Sequence, residues 1–316
     1  MGISRSFFLF LSRSRGLRKV VSGWGLARRA ARRFVAGETA AEAIEVANAL
    51  SGRGIMAILD HLGENVSTEA EARAAADAYM ALIDAIASAA PWQSVDGGPP
   101  HLAVKLTQLG LDLSPGIAEA NLARMAARAK AMGVTVAVDM ESSATVDQTL
   151  AVLNSVRAEY GNVSAVVQSY LRRNDADVET LCAAGYAIRL VKGAYQETAE
   201  VAYPAKADVD AAYVRQAQRM LRATRETGAY AQFGTQDPKM IAAVRAFATA
   251  NAIPASAWEV QMLHGVRRDL QDSLARESVR IRIYIPYGTE WYPYFMRRLA
   301  ERPANVWFIV RNLFRS

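Results

Sequence analysis

The chain holds one cysteine, three histidines and no acidic residue before Glu38 in 316 positions. Each scarcity excludes something. Cys182 alone cannot close an internal disulfide, which fits a reducing compartment. Its apolar setting, Leu181-Cys182-Ala183-Ala184, marks a buried and inert thiol rather than a nucleophile. His61, His101 and His264 stand far apart, and no HExxH is present, so no metal is expected. Neither a GxGxxG fingerprint nor a P-loop occurs, which removes the common nucleotide signatures. The N-terminal apolar run from Phe7 to Leu11 is too short for a spanning helix or a signal-peptide core. No linker rich in Pro, Gly or Ser divides the body, and Asp96-Gly97-Gly98-Pro99-Pro100 reads as a turn.

What is present is an uneven charge. Nine basic residues precede Glu38, from Arg5 to Arg33, and the other 28 face all 31 acids. The net +6 is therefore a property of the first segment, and the body is nearly neutral, which argues against a nucleic-acid-binding fold. That segment interleaves its charges with Phe7, Phe8, Phe10, Val20, Val21 and Trp24. It reads either as a membrane-surface helix or as one docked on its own domain. Residues 1–50 are taken as a basic amphipathic helical arm, and 51–316 as one catalytic domain.

In that domain short apolar runs alternate with alanine-rich helical patterns. The expected strands are Gly54–His61, Leu102–Leu109, Val134–Glu141, Ala165–Tyr170, Ala187–Lys192, Tyr230–Gly234, Trp258–Leu263 and Val279–Ile285. Near-continuous apolar strands are those of parallel sheets covered on both faces. Helical patterns follow, such as Thr68–Ala89, Ile117–Met132 and Val209–Thr227, with Pro115 and Asp237-Pro238 at helix starts. Eight strand–helix units in about 260 residues predict an α/β fold, a (β/α)8 TIM-type barrel with an N-terminal helical extension.

Such a barrel does its chemistry at the C-terminal ends of its strands. Lys105, Asp139, Glu141, Gln168, Arg189, Lys192, Thr235, Gln236 and Tyr284 fall there. Lys105 and Asp139 interrupt apolar strands, a costly choice unless the charges are paired or used. After the last strand, a Pro/Gly turn leads into a short helix with Tyr294, the adjacent Arg297 and Arg298, and Glu301. Two guanidinium forks beside a strand end make a carboxylate clamp. Basic groups outnumber acids, so an anionic ligand is favoured.

These residues resemble the monofunctional bacterial proline dehydrogenases. The likeness runs from Arg33-Phe34-Val35-Ala36-Gly37-Glu38 to Asn305. It is densest at Leu59-Asp60-His61-Leu62-Gly63-Glu64, Lys105-Leu106-Thr107, Asp139-Met140-Glu141, Gln168-Ser169-Tyr170-Leu171-Arg172-Arg173, Arg189 to Tyr195, and the clamp. The resemblance implies a distorted barrel holding FAD noncovalently. It implies oxidation of L-proline to Δ1-pyrroline-5-carboxylate, with electrons passed to a membrane quinone. Arg297 and Arg298 would grip the proline carboxylate, helped by Lys105, with Asp139 in the polar network around that lysine. Tyr284, Tyr294 and Leu263 would pack on the ring, and Glu301 would hold the arginine pair. Gln168, Arg189, Val191, Lys192, Gly193 and Ala194 match flavin-contacting positions.

One departure stands out. The family often has Thr-His after the sixth strand, where this chain has Thr235-Gln236-Asp237, and Gln donates hydrogen bonds without carrying charge. The chain ends soon after the eighth helix, so a separate pyrroline-5-carboxylate dehydrogenase is expected to take the product. A cytoplasmic enzyme, peripheral on the inner face of the plasma membrane through its basic arm, completes the expectation. Two alternatives remain at this point. One is a Schiff-base lyase using Lys105 or Lys192. The other is a noncatalytic barrel whose working part is the arm.

Overall fold

The structure is a computed structural model that describes residues 31–63, 65–89 and 98–301, the last three of these by backbone alone. Eight parallel strands close into a barrel in sequence order. They are β1 Met56–His61, β2 His101–Lys105, β3 Thr135–Asp139, β4 Val163–Gln168, β5 Ala187–Val191, β6 Tyr230–Gly234, β7 Trp258–Leu263 and β8 Ile281–Tyr287. The helices are α1 Ala40–Ser51, α2 Glu69–Ser88, α3 Pro115–Ala131, α4 Val146–Tyr160, α5 Asn174–Ala183, α6 Lys206–Glu226, α7 Pro238–Ala250, α8 Arg268–Arg276 and α9 Trp291–Glu301. The expected TIM-type architecture is thus present. Helix starts follow local chemistry. Thr39 and Thr68 cap α1 and α2 through their hydroxyls, and proline opens α3 and α7 where its missing N–H costs nothing.

Some boundaries differ from the sequence reading. Residues 106–109 are a 3-10 turn, not strand, because the Glu141 carboxylate accepts from Thr107 N at 3.1 Å and Thr107 Oγ1 at 2.7 Å and bends the chain there. The last strand runs on through Pro286, whose carbonyl accepts from Ala36 N, and the turn falls at Gly288 with φ +128. Helix α1 buries Ala43, Ala47 and Leu50 in the same core as the barrel strands. Most of the basic segment, residues 1–30, lies outside the described residues.

Alternation along each strand separates two environments. Leu59, Val104, Val138, Leu190, Phe233, Val260 and Ile283 join the core between sheet and helices. The alternate residues point into the barrel, where alternate strands stack their side chains in layers. The registers place Ile58, Ala137, Arg189 and Gln261 in one layer, and Ala103, Val166, Gly234 and Tyr284 in the next toward the mouth. Asp60, Asp139, Val191 and Leu263 lie above these, close to the C-terminal rim. Gly234 leaves that side of the barrel open, since a Cβ there would meet Val191 at 2.7 Å.

Candidate active site

A cavity of about 380 Å³ opens at the C-terminal ends of the strands. It gathers Lys105, Asp139, Gln168, Arg189, Val191, Lys192, Gly193, Ala194, Thr235, Gln236, Leu263, Tyr284, Tyr294, Arg297 and Arg298. Of the residues that the family resemblance assigns to the site, all whose side chains are described line this cavity, and Glu301 is the remaining one. It closes α9, and its side chain lies outside the described residues. Glu141, counted among the mouth acids from sequence, is turned away and spends its carboxylate on Thr107.

The centre of the cavity is an ionic lattice. Adjacent strands pair Lys105 with Asp139 in register, and Lys105 Nζ lies 3.9 Å from Asp139 Oδ2 and 3.3 Å from Asp60 Oδ1. Asp139 is no satellite of that lysine. Its Oδ1 accepts from Arg189 Nη2, and its Oδ2 accepts from the Tyr284 hydroxyl at 2.7 Å. Arg189 also donates to Gln261 Oε1 at 3.3 Å and lies 5.1 Å from the Tyr284 ring centre. Burial, with the nearby Asp60 charge, pushes the Tyr284 phenol well above its ordinary range, so the hydroxyl remains a donor. Sequence reading passed over Asp60, Gln261 and Met262 as lining residues. Asp60 could have been found, because it too is a charge inside an apolar strand.

Helix α9 brings the clamp. Arg298 stacks over the Tyr294 ring one turn earlier at 5.0 Å, and both are buried, while Arg297 is partly exposed. The lining holds five cationic side chains against Asp60 and Asp139, so the mouth favours an anion. Lys192 contributes least to that excess, because Asp210 and Asp237 grip its ammonium at 2.5 and 2.8 Å. Asp237 also caps α7 by accepting from Lys239 N, and it donates its own N–H to Thr235 Oγ1. The residue after Gln236 thereby ties the sixth-strand loop to Lys192.

The wall after β5 runs flush to the cavity through Val191, Lys192, Gly193 and Ala194. Gly193 has φ +117, and a Cβ there would strike the Tyr170 ring at 2.2 Å. Only glycine permits that approach. Gln168 donates its amide N–H to the Glu141 carbonyl at 2.7 Å, which leaves its oxygen as the end offered to a ligand. A glycine wall without a projecting side chain at Gly193, a buried guanidinium and amide ends suit a planar heteroaromatic ring with polar edges.

The histidines do not converge. His61 stacks on Tyr287 at the rim, His101 lies at the opposite end of the barrel, and His264 follows β7. Burial lowers the pKa of all three, His264 to about 4 and His101 well below 6.5. The unfolded chain therefore takes up protons below pH 6.5 that the folded chain refuses. Stability should be fully present above pH 6.5 and fall steadily as pH drops toward 4. For His264 the loss is bounded by about 3 kcal/mol. Urea midpoints between pH 7.5 and 4.5 test this, and the H264L variant should show a shallower slope. Cys182 is buried, which pushes its thiol up to about 11 and leaves it inert.

A family model described as proline dehydrogenase matches residues 43–311. Proline dehydrogenase 1 of Bacillus subtilis (strain 168) is 38% identical over 312 residues, 99% of either chain. Proline dehydrogenase of Deinococcus radiodurans is 40% identical over 298 residues, 93% of this chain and 91% of that one. Among solved structures, proline utilization A (PutA) of Bdellovibrio bacteriovorus, inactivated by N-propargylglycine, superposes with a TM-score of 0.81 at 28% identity. The match covers 87% of this chain and 33% of that longer one.

Proposed function

Because this chain belongs to the proline dehydrogenase family, we propose that it oxidises L-proline to Δ1-pyrroline-5-carboxylate with bound FAD and delivers the electrons to a membrane quinone. The observation that carries this reading is the union, in one cavity, of the α9 arginine pair with the buried Arg189 and the glycine wall after β5. Each part serves a different end of the reaction. Bound FAD supplies the two-electron acceptor.

The chain's own residues do the rest. Arg297 and Arg298 bind the carboxylate by charge-assisted forks, and Lys105, fixed by Asp60 and Asp139, adds a third cation. Leu263, Tyr284 and Tyr294 bound the ring by apolar contact, so the substrate is held by one polar end and aimed by the other. Val191, Lys192, Gly193 and Ala194 would hold the flavin with Gln168, Thr235 and Gln236 at its edges. Arg189 would place fixed positive charge where the reduced ring becomes anionic. Gln236 offers hydrogen bonds there without charge, in place of the family histidine.

The lyase alternative fares worse. Imine formation needs a neutral amine, and each candidate lysine is engaged by two carboxylates. The arm's interleaved arginines and aromatics support a surface-bound enzyme, as does the lipid solubility of a quinone. Salt-reversible sedimentation with anionic vesicles checks that element. Among the described residues no helix is long and apolar enough to cross a membrane.

The decisive measurement is the visible spectrum of the purified protein before and after anaerobic L-proline. A flavin spectrum that bleaches, and recovers when a soluble quinone analogue is added, is the expected result. A flavin spectrum untouched by proline would turn the search to other amino acids. A colourless protein that stays inactive after FAD is supplied would sink the reading.

A further inference from the structure

Below the cavity, Glu259 and Arg282 form an ion pair that the mouth cannot reach. Both are almost fully buried, and neither lines the cavity. Glu259 Oε1 accepts from Arg282 Nε at 2.7 Å and from Gln261 Nε2 at 2.7 Å. Its Oε2 accepts from Arg282 Nη2 at 3.2 Å and from the Tyr230 hydroxyl at 3.0 Å. Burial alone would push this carboxyl up, but Arg282 overrides it and holds the group down at about 2.

An ionised carboxylate only accepts hydrogen bonds, so Gln261 must turn its NH2 end toward Glu259. The amide oxygen then has one direction left, and it meets Arg189 Nη1 at 3.3 Å. A flipped amide would set lone pairs against the carboxylate and N–H groups against the guanidinium, and both contacts would repel. The order of donors is thus dictated from beneath. Gln232, paired in register with both Arg189 and Glu259, has neither its amide oxygen nor its nitrogen bonded to a partner. The connection therefore runs through Gln261 and not through its neighbour. With Asp139 on Nη2 and Gln261 on Nη1, the two outer nitrogens of Arg189 are both fixed, which sets the plane of its guanidinium.

We propose that Glu259 is a positioning residue for the oxidation, acting through the amide of Gln261 to fix how Arg189 is presented in the cavity. This rests on the reading above, in which Arg189 faces the flavin. Stability alone is a poor reason for such a pair, since apolar residues of similar volume commonly serve a core as well or better.

The test compares the wild type with Glu259→Met/Arg282→Met and with Arg282→Lys, all loaded with FAD. The double variant removes both charges together and leaves no orphan charge. It should fold and bind FAD. Its flavin midpoint potential should fall, and its kcat should drop about tenfold, the weight of one charge-assisted hydrogen bond. KM for proline should stay near the wild-type value, because the α9 clamp is untouched. Arg282→Lys keeps the carboxylate ionised but loses donors to the Ala57 and Pro99 carbonyls. It should melt earlier, yet keep the wild-type potential and kcat.

A folded, flavin-loaded double variant with wild-type potential overturns the inference and leaves the proposed activity standing. An Arg282→Lys variant whose potential shifts as far as the double variant's also overturns it, because packing would then be the cause. A wild type that takes up no FAD overturns the proposed activity, and this inference with it.

Discussion

Arg298→Met should raise KM for proline roughly 100-fold, the cost of deleting a charge-assisted bond to a carboxylate in a desolvated site. Arg298 is the buried member of the pair, at 8% exposure, and it stacks on Tyr294. Arg297 is partly exposed, and water can replace part of its contribution, so Arg297→Met should cost about tenfold. Arg298→Lys keeps the charge but loses the planar fork and the stacking, and should lie between the methionine variant and wild type. The turnover number should fall as well, since a carboxylate held at one point no longer aims the ring. Initial rates against proline concentration, with a soluble electron acceptor, separate the two effects. If both methionine variants keep KM within about twofold of wild type, the carboxylate is not held by α9, and Lys105 becomes the candidate.

Asp139→Ala should lower stability by roughly 3–5 kcal/mol and cut turnover more than any other single change in the lattice. The reason is the number of groups it leaves behind. Arg189 is 4% exposed and loses the acceptor on Nη2, Tyr284 loses the acceptor 2.7 Å from its hydroxyl, and Lys105 loses one of its carboxylates. Asp139→Asn retains an acceptor oxygen and the shape, so its loss of stability should be about half as large. Tyr284→Phe is the informative partner. Tyr284 donates to Asp139, so the effects of Asp139→Ala and Tyr284→Phe should fall short of additivity by about 1 kcal/mol in a double-mutant cycle. Chemical denaturation measures both. An Asp139→Ala protein that unfolds at the wild-type midpoint would show that Arg189 finds another acceptor.

Much of this was legible in the residues, for identifiable reasons. Apolar runs with β-branched residues gave all eight strands, because parallel strands covered on both faces leave little room for other sequences. Lys105 and Asp139 stood out because each is a charge where burial penalises charge, and they proved to be register partners. The same criterion applied to Asp60, Glu259 and Arg282 would have exposed the deeper network. Glu259 and Arg282 lie near the N-terminal ends of their strands, away from the mouth where a barrel does its chemistry, and Asp60 sits at the mouth as a lone acid in β1. Glu141 was misplaced because sequence gives the position of a side chain but not its direction once a strand has ended. Its turn toward Thr107 depends on the 3-10 geometry of residues 106–109, which the apolar Leu106 and Leu109 disguise as strand. The Gln261 amide orientation was invisible, since it depends on one partner two residues away in the chain and on another 72 residues away, which only the fold brings within 3.3 Å.

The barrel closes by pairing Met56–His61 with Arg282–Tyr287, partners separated by more than two hundred residues. On a ribosome, β8 and α9 are the last structural units of the barrel to emerge. Until they do, the nascent polypeptide has no Tyr284 to meet Asp139, no arginine pair, and an unsealed sheet with two open edges. An unfinished copy therefore lacks both the proposed carboxylate clamp and the closed cavity. Contacts so distant in sequence also make closure the slow event of folding. Chaperone demand should concentrate in the interval between synthesis of β7 and docking of β8.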